Sequence, residues 1–193
     1  MKLCLALLAM LFTVVGLGAC RDPIKLQATQ ETVTDTLTVY ALSGTPPGYP
    51  NALSIPARQL VPVSGFGGFD IAFDIDASNR VLVHAARRVV SVGPMVPQVG
   101  LQIVAGTFES ITAAPRTGYK VDSTVVASAG DVIVLEAVHN NGQGDACTFA
   151  LSPNLYAKIS IDTIFVATRA IKFRFGYNPN CGYRSFAPGI PTD

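Results

Sequence analysis

The stretch that decides the fold is Phe69-Asp70-Ile71-Ala72-Phe73-Asp74-Ile75-Asp76, residues 69–76, in which apolar and acidic side chains alternate. Successive side chains of a β-strand point to opposite faces, so a period of two predicts a strand that buries one face. The apolar face would carry Phe69, Ile71, Phe73 and Ile75, and the other Asp70, Asp74 and Asp76. Residues 77–80, ASNR, supply turn chemistry before a second apolar run at 81–84, which predicts a β-hairpin.

The same pattern recurs along the chain. Threonines alternate with other residues between Glu31 and Tyr40, and further strands are predicted at 99–105, 120–127, 132–139, 148–151, 156–162, 164–167 and 170–177. The Pro-rich segment from Pro46 to Pro62 predicts a long loop with an edge strand, and residues 185–193 predict an extended surface tail. Seventeen Gly and thirteen Pro suit a chain with many turns.

This organisation predicts an all-β fold, a single antiparallel β-sandwich of immunoglobulin-like or jelly-roll-like type, covering residues 31–193. A closed barrel is the alternative. A transmembrane barrel is disfavoured, because the predicted strands are short and the 193-residue chain contains no Trp for an aromatic girdle.

Composition excludes some classes of partner. The chain is 49% apolar and carries 14 basic and 13 acidic residues, a formal net charge of +1. A nucleic-acid-binding protein would normally show a basic excess, so we expect no nucleic-acid partner.

The N-terminus has the pattern of a targeting segment. Lys2 is followed by a largely apolar run from Leu3 to Leu17, which is short for a bilayer-spanning helix of about 20 residues and typical of a signal peptide. The run ends in Leu17-Gly18-Ala19-Cys20, with small residues directly before a cysteine.

This ending resembles the lipobox of bacterial lipoproteins. The resemblance covers the first 20 residues and implies cleavage after Ala19, diacylglyceryl transfer to the Cys20 sulfur, and a membrane-held chain. It divides the sequence into a signal peptide (1–19), a lipidated cysteine with a tether (20–30) and the sandwich domain. Arg21 and Asp22 follow the cysteine, which favours the outer membrane over the inner. An ordinary cleaved signal and a short uncleaved anchor are the alternatives.

Two cysteines remain once Cys4 and Cys20 are assigned to the signal and the lipid. An even pair in an exported protein favours a disulfide between Cys147 and Cys181 over a catalytic or metal-binding thiol. Phe149 and Phe175 lie in the predicted flanking strands, so we expect the bridge to cap the apolar core.

Several polar groups invite a functional interpretation. Asp74, Asp76 and Ser78, with Asn79, place oxygen ligands at alternate positions as calcium loops do, but the glycine and later Glu of such loops are missing, and a plain hairpin turn is favoured. We therefore expect no metal or other cofactor.

Two histidines are present, His84 and His139, neither within a recognisable catalytic motif. Both lie at or near the ends of predicted strands, so we expect exposed side chains without a catalytic role. The glycine-rich residues 65–68 predict a flexible or bulged strand entry rather than a phosphate loop. Residues 140–145, NNGQGD, predict a plain polar loop at the end of the sandwich held by the disulfide.

Aromatic residues offer one further type of site. Tyr40, Tyr49 and Tyr119 could stack on a sugar ring, although tyrosines in β-proteins more often close the edges of the core. The sequence as a whole favours a non-catalytic envelope lipoprotein, lying in the periplasm or at the cell surface, that binds a protein or glycan partner. A structural subunit of the envelope is the alternative, followed by a periplasmic hydrolase.

Overall fold

A computed structural model describes residues 27–64, 68–91, 96–139 and 145–192. Eleven strands form in this part of the chain: β1 (Val33–Tyr40), β2 (Ala52–Ser54), β3 (Gln59–Val61), β4 (Ile71–Ile75), β5 (Val81–Ala85), β6 (Val99–Val104), β7 (Lys120–Val121), β8 (Thr124–Ala127), β9 (Val132–Val138), β10 (Asn154–Phe165) and β11 (Ala170–Asn178). The described helical structure is one short 3-10 turn, Ala86–Arg88, and no helix among these residues is long and apolar enough to cross a membrane.

The strands form two antiparallel sheets. The larger has six strands in the order β1-β11-β10-β9-β6-β7, and the smaller has five in the order β3-β2-β4-β5-β8. The predicted all-β sandwich is confirmed. The hairpin predicted from residues 69–84 is β4–β5, with Phe73 opposite Val83, and the edge strand predicted within 46–62 is β3.

The main core lies between the sheets and is rich in phenylalanine. Phe73 on β4 stacks on Phe173 on β11, with ring centroids 5.0 Å apart, so the contact joins the two layers. Phe175 lies fully buried beside them. Burying each such ring stabilises the fold by roughly 1.5–3 kcal/mol.

Both sheets are also partly covered on their outer faces. A second cluster contains Phe69, Ala72 and Ala86, and a third contains Val134, Tyr156 and Phe186. The alternation predicted that Phe69 and Ile71 share one face of the strand. This is wrong, because Ile71 lies in the main core and Phe69 lies in the second cluster. The chain changes pattern at Asp70, which precedes the first residue of β4 and is itself buried.

The remaining differences from the predicted strands have local causes. The run at 120–127 divides into β7 and β8, on different sheets, because Asp122 adopts a left-handed φ of 46° between them. The two runs at 156–167 form the single strand β10, with an irregularity between Ile161 and Thr163. Residues 148–151 are turns and bends, so the strand predicted there is wrong.

The C-terminal residues pack against the sandwich. Phe186 is buried, its N–H donates to the carbonyl of Thr112 at 2.7 Å, and Ser185 forms a bridge with Ala113. The prediction of a surface tail from Ser185 is wrong at this point, because the chain covers part of the outer face of the larger sheet.

The sandwich has two distinct ends. Val33, at the start of β1, pairs with Tyr177 near the end of β11, and residues 27–32 lie at this end, which we call the N-terminal end. Tyr40, Phe165 and Ala170 lie at the opposite end, which we call the far end. The predicted signal, Cys20, residues 21–26, most of the glycine-rich segment and residues 140–144 lie outside the described residues.

Candidate functional site

The N-terminal end is closed by a disulfide. Cys147 and Cys181 are joined, with their Cα atoms 5.8 Å apart, so the predicted bridge is confirmed. The expected link to the core is only half right. Phe175 lies in the core, but Phe149 is 88% exposed, because the residues after Cys147 form a turn instead of a strand.

The first described residues are fixed to the chain around this disulfide. The side-chain oxygen of Asn180 accepts hydrogen bonds from the backbone N–H groups of Thr29 and Gln30, and its amide donates to the carbonyl of Gln30. The hydroxyl of Tyr183 accepts from the N–H of Ala28 at 3.0 Å. The chain therefore enters the domain beside Cys181, at a point held by covalent and polar contacts.

A buried histidine, His139, lies next to the same disulfide, so the exposed position expected for it is wrong. Nε2 of His139 is 2.7 Å from Asp70 and Nδ1 is 2.7 Å from Asp145, with His139 and Asp70 almost fully buried. The carbonyl of His139 accepts the backbone N–H of Cys147 at 2.9 Å. We call the three side chains the histidine clasp, because they connect the residue after β9, the residue before β4 and the turn that contains Cys147.

The clasp fixes the charge of the imidazole. Burial alone would lower the pKa of His139, but the hydrogen bonds and negative charges of Asp70 and Asp145 outweigh burial and raise the pKa to about 9. With the pKa raised in this way the imidazole is protonated at pH 7, and its two ring nitrogens donate to Asp70 and to Asp145. His139 and Asp70 are 69 positions apart in sequence, which is why the sequence did not reveal the clasp.

The second histidine is also bonded within the fold. Nδ1 of His84 lies 2.8 Å from the hydroxyl of Thr124, on the neighbouring strand β8. Burial lowers the pKa of His84 below its ordinary value.

The structure does not bring the residues of the calcium hypothesis together. Asp74 accepts hydrogen bonds from Ser43 and Arg169, whereas Asp76 accepts from the N–H groups of Ser78 and Arg80 within the hairpin turn. In the described part of the chain, no group of three or more His, Cys, Asp or Glu side chains could hold a metal ion.

Two of the three singled-out tyrosines meet at the far end. The rings of Tyr40 and Tyr49 have centroids 4.7 Å apart at an angle of 36°, and Tyr49 is 43% exposed. Tyr119 is separate: its ring packs in the third cluster and its hydroxyl donates to the carbonyl of Pro115 at 2.9 Å. Burial also raises the pKa of the Tyr119 hydroxyl above its ordinary value.

The tyrosine pair belongs to a larger row across the sheet. Tyr40 pairs with Ala170, which in turn pairs with the exposed Phe165, and paired residues project from the same face. Strands lie about 4.8 Å apart, so roughly 10 Å separates the backbones of Tyr40 and Phe165, with the small Ala170 between them. We call Tyr40, Tyr49 and Phe165 the aromatic surface.

A polar row runs beside the aromatic surface. Lys172 pairs with Thr38 on one side and with Thr163 on the other, and all three are exposed. Each lies two residues along its strand from the aromatic row, hence about 7 Å away on the same face. Sequence reasoning missed Phe165, because Tyr40, the aromatic residue that shares its row, lies on a strand that is distant in the chain.

No family model, no curated protein and no solved structure matches the chain. The fold and the site define the protein as an all-β sandwich domain with a disulfide. An aromatic surface with neighbouring polar side chains lies at one end of the sandwich, and the N-terminal segment of the domain lies at the other.

Proposed function

We propose that this protein is a non-catalytic, lipid-anchored protein of the bacterial envelope that binds a glycan through the aromatic surface. The lipobox-like sequence at Leu17–Cys20 supports the anchor, and the first residues fixed to the domain, from Ala28 to Gln30, follow Cys20 by eight to ten positions at the N-terminal end. The aromatic surface lies at the far end, where the anchor and the membrane would leave it accessible.

The observation that carries the binding role is the pairing of an aromatic row with a polar row. A sugar ring presents C–H groups on its face and hydroxyls around its edge. The rings of Tyr40, Tyr49 and Phe165 offer flat apolar contacts, while Thr38, Lys172 and Thr163 offer donors and acceptors within reach of the ring edge.

The histidines support a binding role over hydrolysis. His139 is held between two carboxylates and His84 is bonded to Thr124, so both imidazoles serve the fold. The edge strand β1 also argues for a glycan rather than a protein that adds a strand, because the carboxylate of Asp35 accepts the N–H of Thr36 at the sheet edge.

The binding role is tested with the double variant Tyr40→Ala/Tyr49→Ala in pull-down and calorimetry with purified peptidoglycan and with lipopolysaccharide oligosaccharide. Aromatic contacts contribute about 0.5–1.5 kcal/mol per ring, so we expect binding to weaken roughly tenfold or more. The matched control is Phe149→Ala, which removes an exposed ring from the N-terminal end. Unchanged binding in the double variant, or capture of a protein by cross-linking at Tyr49 with no glycan bound, contradicts the proposal.

The anchor is tested separately. Cys20→Ala should abolish the acyl mass on the intact protein and release it from membrane fractions. A wild-type protein whose mass shows no acyl group contradicts the lipoprotein assignment.

A further inference from the structure

Two large apolar side chains at the N-terminal end face solvent. Phe149 is 88% exposed and Leu151 is 71% exposed, more than any other large apolar side chain in the described residues. They lie in the turn that follows Cys147, where the N–H of Ala150 donates to the carbonyl of Cys147 at 3.0 Å. The disulfide holds this turn in place, so the two side chains are presented by a fixed part of the fold.

These side chains lie beside the entry point of the chain. Phe149 and Leu151 line an open cleft of about 490 Å³ together with Gln27, Thr29 and Cys181. The exposed apolar side chains and the first described residues are therefore on the same end of the sandwich.

The distance to the predicted lipid is short. Cys20 is seven positions before Gln27, and seven extended residues span at most about 25 Å. Acyl chains on Cys20 within a bilayer would hold the N-terminal end close to the membrane surface.

We propose that Phe149 and Leu151 insert into the surface of the membrane that carries the lipid anchor, and so orient the domain with its far end directed away from the bilayer. This inference rests on the lipid anchoring proposed above. Apolar side chains at a membrane surface lie at the boundary between head groups and acyl chains, and a second apolar contact strengthens attachment by a lipid. Contact through two points, the anchor and the turn, limits rotation of the domain about its tether.

The chain contains no Trp, so a single introduced Trp reports on one position. Full-length lipidated Phe149→Trp is reconstituted into vesicles of phosphatidylethanolamine and phosphatidylglycerol containing lipids brominated near the head of the acyl chain. Leu151→Trp provides a second reporter in the same turn, and Phe165→Trp is the matched control at the far end. Both Phe149 and Leu151 are exposed, so these substitutions leave the core intact.

We expect the emission of the Phe149→Trp and Leu151→Trp variants to shift to shorter wavelength on reconstitution and to be quenched by the brominated lipids, with no change for Phe165→Trp. Intact mass and flotation with the vesicles measure anchoring in the same samples. Quenching of the turn reporters no greater than that of the control, in protein that is acylated and floats, overturns the membrane contact and leaves the anchor standing. Protein without an acyl group overturns the anchor, and the membrane contact with it.

Discussion

Raising the pH through the alkaline range should weaken the fold at the histidine clasp. His139 is held between Asp70 and Asp145, each 2.7 Å from a ring nitrogen, and its pKa rises from an ordinary 6.5 to about 9. The folded protein thus keeps a proton that the unfolded chain releases. Below pH 6.5 both states bind the proton and the stabilisation is complete, whereas between pH 6.5 and about 9 it is progressively lost.

The magnitude follows from the difference in pKa. Each pKa unit corresponds to about 1.4 kcal/mol, so a rise from 6.5 to about 9 corresponds to about 3 kcal/mol of unfolding free energy. This is a substantial share of the 5–15 kcal/mol or so that stabilises a typical domain. The variant His139→Gln lacks the titrating group, so its stability should be lower near pH 6 and should not show this loss.

The assay is urea-induced unfolding of wild type and His139→Gln from about pH 6 to about pH 10, with the difference between the two cancelling other titrating groups. Asp145→Asn, which removes one carboxylate, should give an intermediate pH dependence. NMR titration checks the cause directly, since the chain has two histidines: the His139 resonance should titrate near pH 9 and that of His84 below 6.5. Equal pH dependence in wild type and His139→Gln, or a His139 resonance that titrates near 6.5, refutes the reasoning.

Three further perturbations test the packing. Replacing Cys147 and Cys181 by Ala should cost roughly 2–4 kcal/mol in urea unfolding, since the bridge closes a loop with a sequence separation of 34; an unchanged midpoint would contradict this. Phe173→Ala should cost about 3–5 kcal/mol because the ring is fully buried, whereas Phe149→Ala should stay within about 0.5 kcal/mol; similar losses in thermal melts would count against the described core. Gly100→Ala should destabilise by about 1–3 kcal/mol, because the added Cβ would lie 2.8 Å from a tyrosine side chain, and a wild-type melting temperature would oppose that contact.

Strands were predictable from the sequence because alternation is a local property. β4, β5 and β11 each place apolar side chains at every second position, and the core between the sheets requires that spacing. The prediction failed at 148–151 because Phe149 and Leu151 also alternate, yet a neighbouring disulfide fixes the chain in a turn there. Alternation indicates a strand only where a second strand is present to pair with it.

The candidate site was only partly predictable for a related reason. Tyr40 and Tyr49 are close in sequence and could be considered together, but Phe165 joins them through the register of three strands. The same holds for His139 and Asp70, where a carboxylate directly before β4 meets an imidazole directly after β9, a strand of the other sheet. The proximity of charged and aromatic side chains that are distant in the chain can be inferred only when the order and register of the strands are known.

The path of β1 has a mechanical consequence. β1 begins at Val33, directly after the segment fixed by Asn180, and ends at Tyr40 in the aromatic surface, and it pairs with β11 along its whole length. A force between the N-terminal segment and a ligand at the aromatic surface would act along the axis of this strand. The part of the force that reaches Tyr40 passes through the covalent backbone of one extended strand. The part that reaches Phe165 loads the hydrogen bonds between neighbouring strands together in shear, instead of opening them one after another from an end, so the sheet that joins the two ends is also placed to withstand tension between them.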